Sequence, residues 1–370
     1  MRAYPLLALT GALALASLTA CGSGDDADPS ALTVTSTDTA CTVSKTDFAA
    51  GTHTFKLINS GSQVTEVYFY GPDGKILSEK ENIGPGTNYA ITVTLAAGDQ
   101  QIVCKPGMVG DGISQNIKVS GQAAALDPRL TKAVADYRLY IDEQVADTLD
   151  KTKQFVAKVK SGDIEGAKAL YAPSRFGWES IEPVAESFGD LDPKIDAREA
   201  DLSAEEKATW GGWHKLEKAL WVTKSTTGLE KTADQLVTDL EDLQDRVHTV
   251  DITPASMANG AKELLDEVAT GKITGEEEAF SHTDLVDFKA NLDGAAKVFE
   301  LLKPVVTEKD SALAAQLDTA FKNVYDALDA HRDGDTYVSY DTVKAPERKK
   351  LSDVVNALGE PLSKLAAAVG

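Results

Sequence analysis

A histidine and a glutamate stand three residues apart in the stretch from Gly212 to Trp221, as His214 and Glu217, in a chain that has only five histidines. On a helix that spacing puts an imidazole and a carboxylate on one face, close enough to share a proton or a metal ion. Trp178, Glu179, Ser180, Ile181, Glu182 repeats the spacing with two carboxylates, and Asp192, Asp196 and Arg198 follow. A third acidic group, Glu276 to Glu278, lies after a glycine and just ahead of His282 and Asp284. Acids that converge inside a helical core repel one another and pay for desolvation unless a cation compensates them. Trp178, Ile181, Trp213, Leu216 and Trp221 flank these acids and point to partial burial. Carboxylates with one imidazole make a hard, oxygen-dominated donor set that suits iron, manganese or zinc better than cuprous copper.

Helices must carry these groups, and the composition provides them. After Pro128 the text is rich in Ala, Leu, Glu, Asp and Lys. Leu130, Val134, Tyr137, Ile141 and Val145 recur at steps of three and four, as do Leu236, Leu240, Leu243 and Val247. Breakers at Ser161 to Asp163, Gly189 to Pro193, Asp251 to Pro254, Gly271 to Gly275 and Pro304 predict an antiparallel bundle. From Leu32 to about Ser120 the period is two, in Leu32 and Val34, Phe55 and Leu57, Val67 and Phe69, Ile91 to Leu95, and Ile117 and Val119. Turn residues separate these runs, which predicts a small all-β sandwich ahead of an all-α bundle.

At 370 residues, 42% of them hydrophobic, the chain can build two cores. Its formal charge of -21 disfavours nucleic acid and anionic membrane surfaces as partners and favours small cations. Arg2 and the apolar run Leu6 to Leu18 read as an export signal. The run Leu18, Thr19, Ala20, Cys21, Gly22 matches a bacterial lipobox, which makes Cys21 the acylated first residue of an extracytoplasmic protein held to the membrane by lipid alone. The expected organisation is therefore a signal over 1–21, a flexible tether over 22–31, the sandwich over 32–120, a linker over 121–127 and the bundle over 128–370.

The stretches Tyr171 to Arg175, Trp178 to Glu182, Leu191 to Arg198, Trp213 to Trp221 and Ile273 to Leu285 resemble the imelysin-type, peptidase-like domain. Joined to a β-rich N-terminal domain, they are similar to the iron-binding lipoproteins of EfeUOB-type uptake systems. The resemblance implies that Glu179, Glu182, Asp196, His214, Glu217 and one acid of the 276–278 run, with Glu277 the first choice, surround a metal. It implies iron, ferrous or ferric, as the cargo, with copper or zinc as alternatives, and an iron permease and a haem-peroxidase-type component as partners.

The peptidase label supplies a rival function, an extracellular metallopeptidase. A common zinc peptidase needs two histidines one helical turn apart and a glutamate beside the first. Here Lys215 follows His214 and Lys218 stands where the second histidine would be. Binding of acidic glycans through bridging cations is a third class.

Two readings of the β-rich half stay open. In an oxidising compartment Cys41 and Cys104 form a disulfide. By resemblance the sandwich looks like a cupredoxin, which implies a small all-β Greek-key topology, and Cys41, Glu66 and Cys104, with Met108 nearby, would then form a copper or iron site with a redox or ferroxidase role. The histidine expected between Cys104 and Met108 is missing, and His53 is the domain's only imidazole.

Overall fold

The structure is a computed structural model that describes residues 31–188 and 190–370, without the side chains of residues 185 and 186. Cys21, its signal and all but the last residue of the tether lie outside the described residues. None of the described helices is long and apolar enough to cross a membrane.

The alternating runs become two packed sheets. β1 (Leu32–Ser36), β2 (Cys41–Val43), β4 (Gly51–Asn59) and β7 (Asn88–Leu95) form one in the order β2-β1-β4-β7. β3 (Asp47–Ala49), β5 (Thr65–Tyr70), β6 (Ile76–Ile83), β8 (Gly98–Pro106) and β9 (Ile113–Ser120) form the other in the order β3-β9-β8-β5-β6. Val34, Phe55, Leu57, Val67, Phe69, Val93 and Ile117 fill the space between them, because every second side chain of a strand faces the same way.

Cys41 on β2 and Cys104 on β8 are joined by a disulfide that staples the two sheets across 63 residues of chain. Closing a loop of that length restricts the unfolded chain by about 4 kcal/mol. The thiolate site drawn from Cys41, Glu66 and Cys104 is corrected on two counts. Bridged sulfurs carry no thiolate charge with which to hold copper or iron. The β5–β8 register also sets Val67 opposite Cys104 and Glu66 opposite Lys105, so Glu66 lies on the other face of the sheet. There its Oε2 accepts a hydrogen bond from Tyr68 at 2.9 Å. His53 is likewise engaged elsewhere, with Nε2 2.8 Å from the Ala49 carbonyl oxygen.

The second half is helical: α1 (Pro128–Ser161), α2 (Ile164–Glu186), α3 (Asp192–Ile195), α4 (Gly212–Lys218), α5 (Glu230–Arg246), α6 (Pro254–Thr270), α7 (Asp284–Lys309), α8 (Ser311–Asp329), α9 (Ala345–Leu362) and α10 (Leu365–Val369). Breakers act where predicted at Gly162, which ends α1 with φ 74°, and at Thr253 with Pro254, which cap α6. Pro304 does not break its helix but lies inside α7. Both Pro304 and Glu300, whose carbonyl loses its amide partner, are exposed, so water replaces the lost bond.

Helix α6 joins the halves. Asn259 donates to the Thr92 carbonyl at 2.8 Å and to Ser78 Oγ at 3.0 Å, and Lys80 of β6 pairs with Asp266 at 3.4 Å. Burial pushes the neighbouring Glu263 carboxyl up to about 7, with Lys80 opposing and Glu81 and Asp266 adding to the rise. Between its ordinary value of 4.5 and about 7 the folded protein keeps a proton that the unfolded chain releases. Stability contributed here is therefore lost as pH rises through that window. Glu263→Gln is expected to raise the melting temperature at pH 8, by the equivalent of at most about 3 kcal/mol, with the two melting curves drawing together near pH 5. Thermal melts across that range check it, and a constant offset between the proteins would refute it.

Candidate metal centre

Four segments deliver the chemistry to one buried place. Helix α2 presents Arg175, Glu179 and Glu182 one turn apart, α4 presents His214 and Glu217, and the loop before α7 brings Glu277 and Glu278. Asp196 arrives from the end of α3 because Gly212 lets α4 start against it. Gly212 has φ 71°, and a Cβ there would sit 2.1 Å from the Ile195 carbonyl oxygen, so only glycine permits the approach. Directly after α4, residues Ala219–Thr223 widen into a π-helical turn.

The imidazole of His214 is 2% exposed and divides the acids into two groups. On one side Nε2 lies 3.3 Å from Asp196 Oδ1 and 3.8 Å from Glu277 Oε1, without hydrogen-bond geometry to either. On the other, Nδ1 is 3.1 Å from Glu217 Oε2 and 3.4 Å from the Tyr171 hydroxyl. Glu217 Oε1 accepts the backbone amides of Phe280 and Ser281 at 3.0 and 2.7 Å, so both of its oxygens are fixed. Ligating atoms lie within 4.8 Å of one another in three sets: Asp196, His214 and Glu277; His214, Glu217 and Glu278; and Glu182, Asp192 and Asp196.

Of the 276–278 run, Glu276 is exposed, whereas Glu277 and Glu278 are both buried, one on each side of the ring. His282 is not among the sets; it takes a left-handed backbone, φ 59°, and its carbonyl accepts the Tyr340 amide. Among the described residues no such set occurs in the sandwich.

Two buried cations hold the acids, and neither was singled out from the sequence. Arg175, fully buried, pairs with Asp196, Glu179 and Glu278, the last at 2.8 Å, and lies 3.5 Å from Glu277. Its position four residues before Glu179 was a usable signal. Lys272 is 3% exposed and binds Glu179 Oε2 at 2.5 Å and Glu182 Oε2 at 2.9 Å. It is about ninety residues away from both, and no local pattern reveals it.

The electrostatics are correspondingly divided. Burial opposes ionisation of Asp196, but Arg175 and His214 overcome it and hold the carboxyl far below its usual range. Glu277 is lowered to about 2, because Lys272 and His214 outweigh burial. Burial, together with the charge of Glu217, raises Glu278 to about 8 against the pull of Arg175. Burial, reinforced by Asp196 and Glu81, lifts Asp192 to about 7. Asp196 and Glu277 thus stay anionic. In return, burial and the charge of Arg175 oppose protonation of His214, but Asp196, Glu217 and Glu277 outweigh them and favour the protonated ring, so a cation that displaces the ring proton meets two oxygens and one nitrogen.

A family model described as imelysin, peptidase M75, matches residues 133–365, and a cupredoxin-like domain model matches residues 6–113. An Efem/EfeO family lipoprotein of Staphylococcus haemolyticus (strain JCSC1435) is 48% identical over 258 residues, which is 69% of this chain and 88% of the relative. Another, from Staphylococcus aureus (strain MSSA476), is 46% identical over 252 residues, covering 67% and 89%. A crystal structure from Parabacteroides distasonis, provisionally described as an iron-regulated protein A precursor, superposes with a TM-score of 0.53 at 13% identity over 67% of this chain and 97% of its own. At that identity the likeness speaks for the fold.

Proposed function

This chain belongs to the Efem/EfeO family of lipoproteins and carries an imelysin domain, and on that premise we propose that it captures iron outside the cytoplasmic membrane and hands it to a permease. The observation that carries the reading is the buried Nε2 of His214, 3.3 Å from Asp196 Oδ1 and 3.8 Å from Glu277 Oε1, both carboxylates anionic. An imidazole nitrogen and carboxylate oxygens accept ferrous and ferric iron, and zinc as a surrogate. Glu217 orients the ring from behind: held by two backbone amides, it fixes Nδ1 and turns Nε2 toward the ion. Glu182, within ligand reach of Asp196, and by the family resemblance Glu179 would complete the shell. The lipobox at Cys21 and the lipoprotein relatives support tethering at the outer face of the membrane. A haem-peroxidase-type component is a further expected partner, and the bridged Cys41 and Cys104 leave the sandwich without the thiolates of a copper centre.

A metallopeptidase of the two-histidine kind is not favoured, since His214 is the only imidazole in the three sets among the described residues. Titration of the mature protein with anaerobic ferrous iron, ferric citrate and zinc tests the proposal. One tightly held ion per chain is expected, with binding lost when Asp196→Asn and Glu277→Gln are combined. Undiminished iron retention in that double variant would sink it.

A further inference from the structure

Both oxygens of Glu179 are already engaged: Oε1 by Arg175, and Oε2 by Lys272 at 2.5 Å and Asn291 Nδ2 at 3.2 Å. The same Lys272 ammonium holds Glu182 Oε2 at 2.9 Å and lies 3.6 Å from Glu267 Oε2. The two internal cations are mounted differently. Arg175 sits in mid-helix with its guanidinium 5.4 Å from the Trp213 ring centroid, and its planar fork serves several acids at once. Lys272 opens a three-residue turn between Gly271 and Gly275, the latter at φ 84°, and reaches its acids on an unbranched four-carbon stem. An ion that takes Glu179 Oε2 and Glu182 Oε2 competes for the oxygens this ammonium covers, and at ligand distance the two positive charges repel each other strongly.

We infer that Lys272 is a tethered competitor for the metal site, an ammonium that covers Glu179 and Glu182 until an ion displaces it and that returns as the ion leaves. It sets how tightly cargo is held and how readily it is given up. The inference rests on the reading of Glu179 and Glu182 as part of the metal shell.

The test compares the mature wild-type protein with Lys272→Met and Lys272→Arg, using zinc and anaerobic ferrous iron as probes. Lys272→Met removes the competitor, so affinity is expected to rise at least tenfold and release to a chelator to slow by a similar factor. Lys272→Arg, which keeps a cation, is expected to stay near wild type. Unchanged or weaker binding by a folded Lys272→Met protein overturns the inference while leaving the metal site standing. A wild-type protein that binds neither ion overturns the site itself, and this inference with it. A second measurement needs no variant: acylation of Lys272, followed by mass spectrometry, is expected to increase when zinc saturates the wild-type protein. Equal protection with and without zinc counts against displacement.

Discussion

Replacing His214 with alanine is expected to weaken metal binding by more than 100-fold, whereas Glu217→Gln is expected to weaken it by roughly 10–100-fold, the range of a partner that orients a ligand. The difference follows from the two sides of one ring. Nε2 faces Asp196 and Glu277 at 3.3 and 3.8 Å, and Nδ1 faces a carboxylate whose other oxygen is held by the amides of Phe280 and Ser281. The Glu217→Gln side chain keeps a carbonyl oxygen for Nδ1 or for the amides but cannot supply the anionic charge that makes the ring a better donor. Chelator competition with zinc and ferrous iron separates the two. Binding by His214→Ala within tenfold of wild type would show that the imidazole is not a ligand.

Arg175→Met is expected to cause the largest loss of stability. The guanidinium is fully buried and faces Glu179, Asp196, Glu277 and Glu278. Removing it leaves several carboxylates without a counter-charge in a water-poor interior, a change that costs on the order of 3–5 kcal/mol. Against a total of roughly 5–15 kcal/mol for a folded domain, that is a large fraction. The melting temperature should fall by about 10 °C. Saturating zinc should recover part of the loss, since a bound divalent ion replaces the missing charge and stabilises the folded state by mass action. A melting temperature within about 2 °C of wild type would refute this account of Arg175.

The parts of this protein legible in its sequence are those where apolar side chains report their own periodicity. Ile141 and Val145 on α1, or Phe55 and Leu57 on β4, are buried where the pattern says. Strand β6 was not legible, because Glu79, Lys80 and Glu81 replace the apolar alternation. Helix α6 packs there, and Lys80 pairs across the seam with Asp266. Glu66 misled for a related reason: sequence shows that it is near strand text, but only the register shows that it faces away from Cys104. The tandem of Glu276 to Glu278 offered one ligand by analogy, and the fold buries two, because the loop folds around both sides of the imidazole. Lys272 belongs to the last class, in which charge pairing arises only from tertiary packing.

Gly212 and the span it organises bear on when the protein can do its work. The groups around His214 are drawn from positions between Tyr171 and Ser281, with Asn291 bracing Glu179 from still further along. A chain folded only through its first half holds the stapled sandwich but none of the loop that bears Glu277. The proposed centre needs the chain at least as far as Glu278. On the proposed reading, an ion can be bound only after these distant segments have folded together, so loading follows folding and cannot guide its first steps.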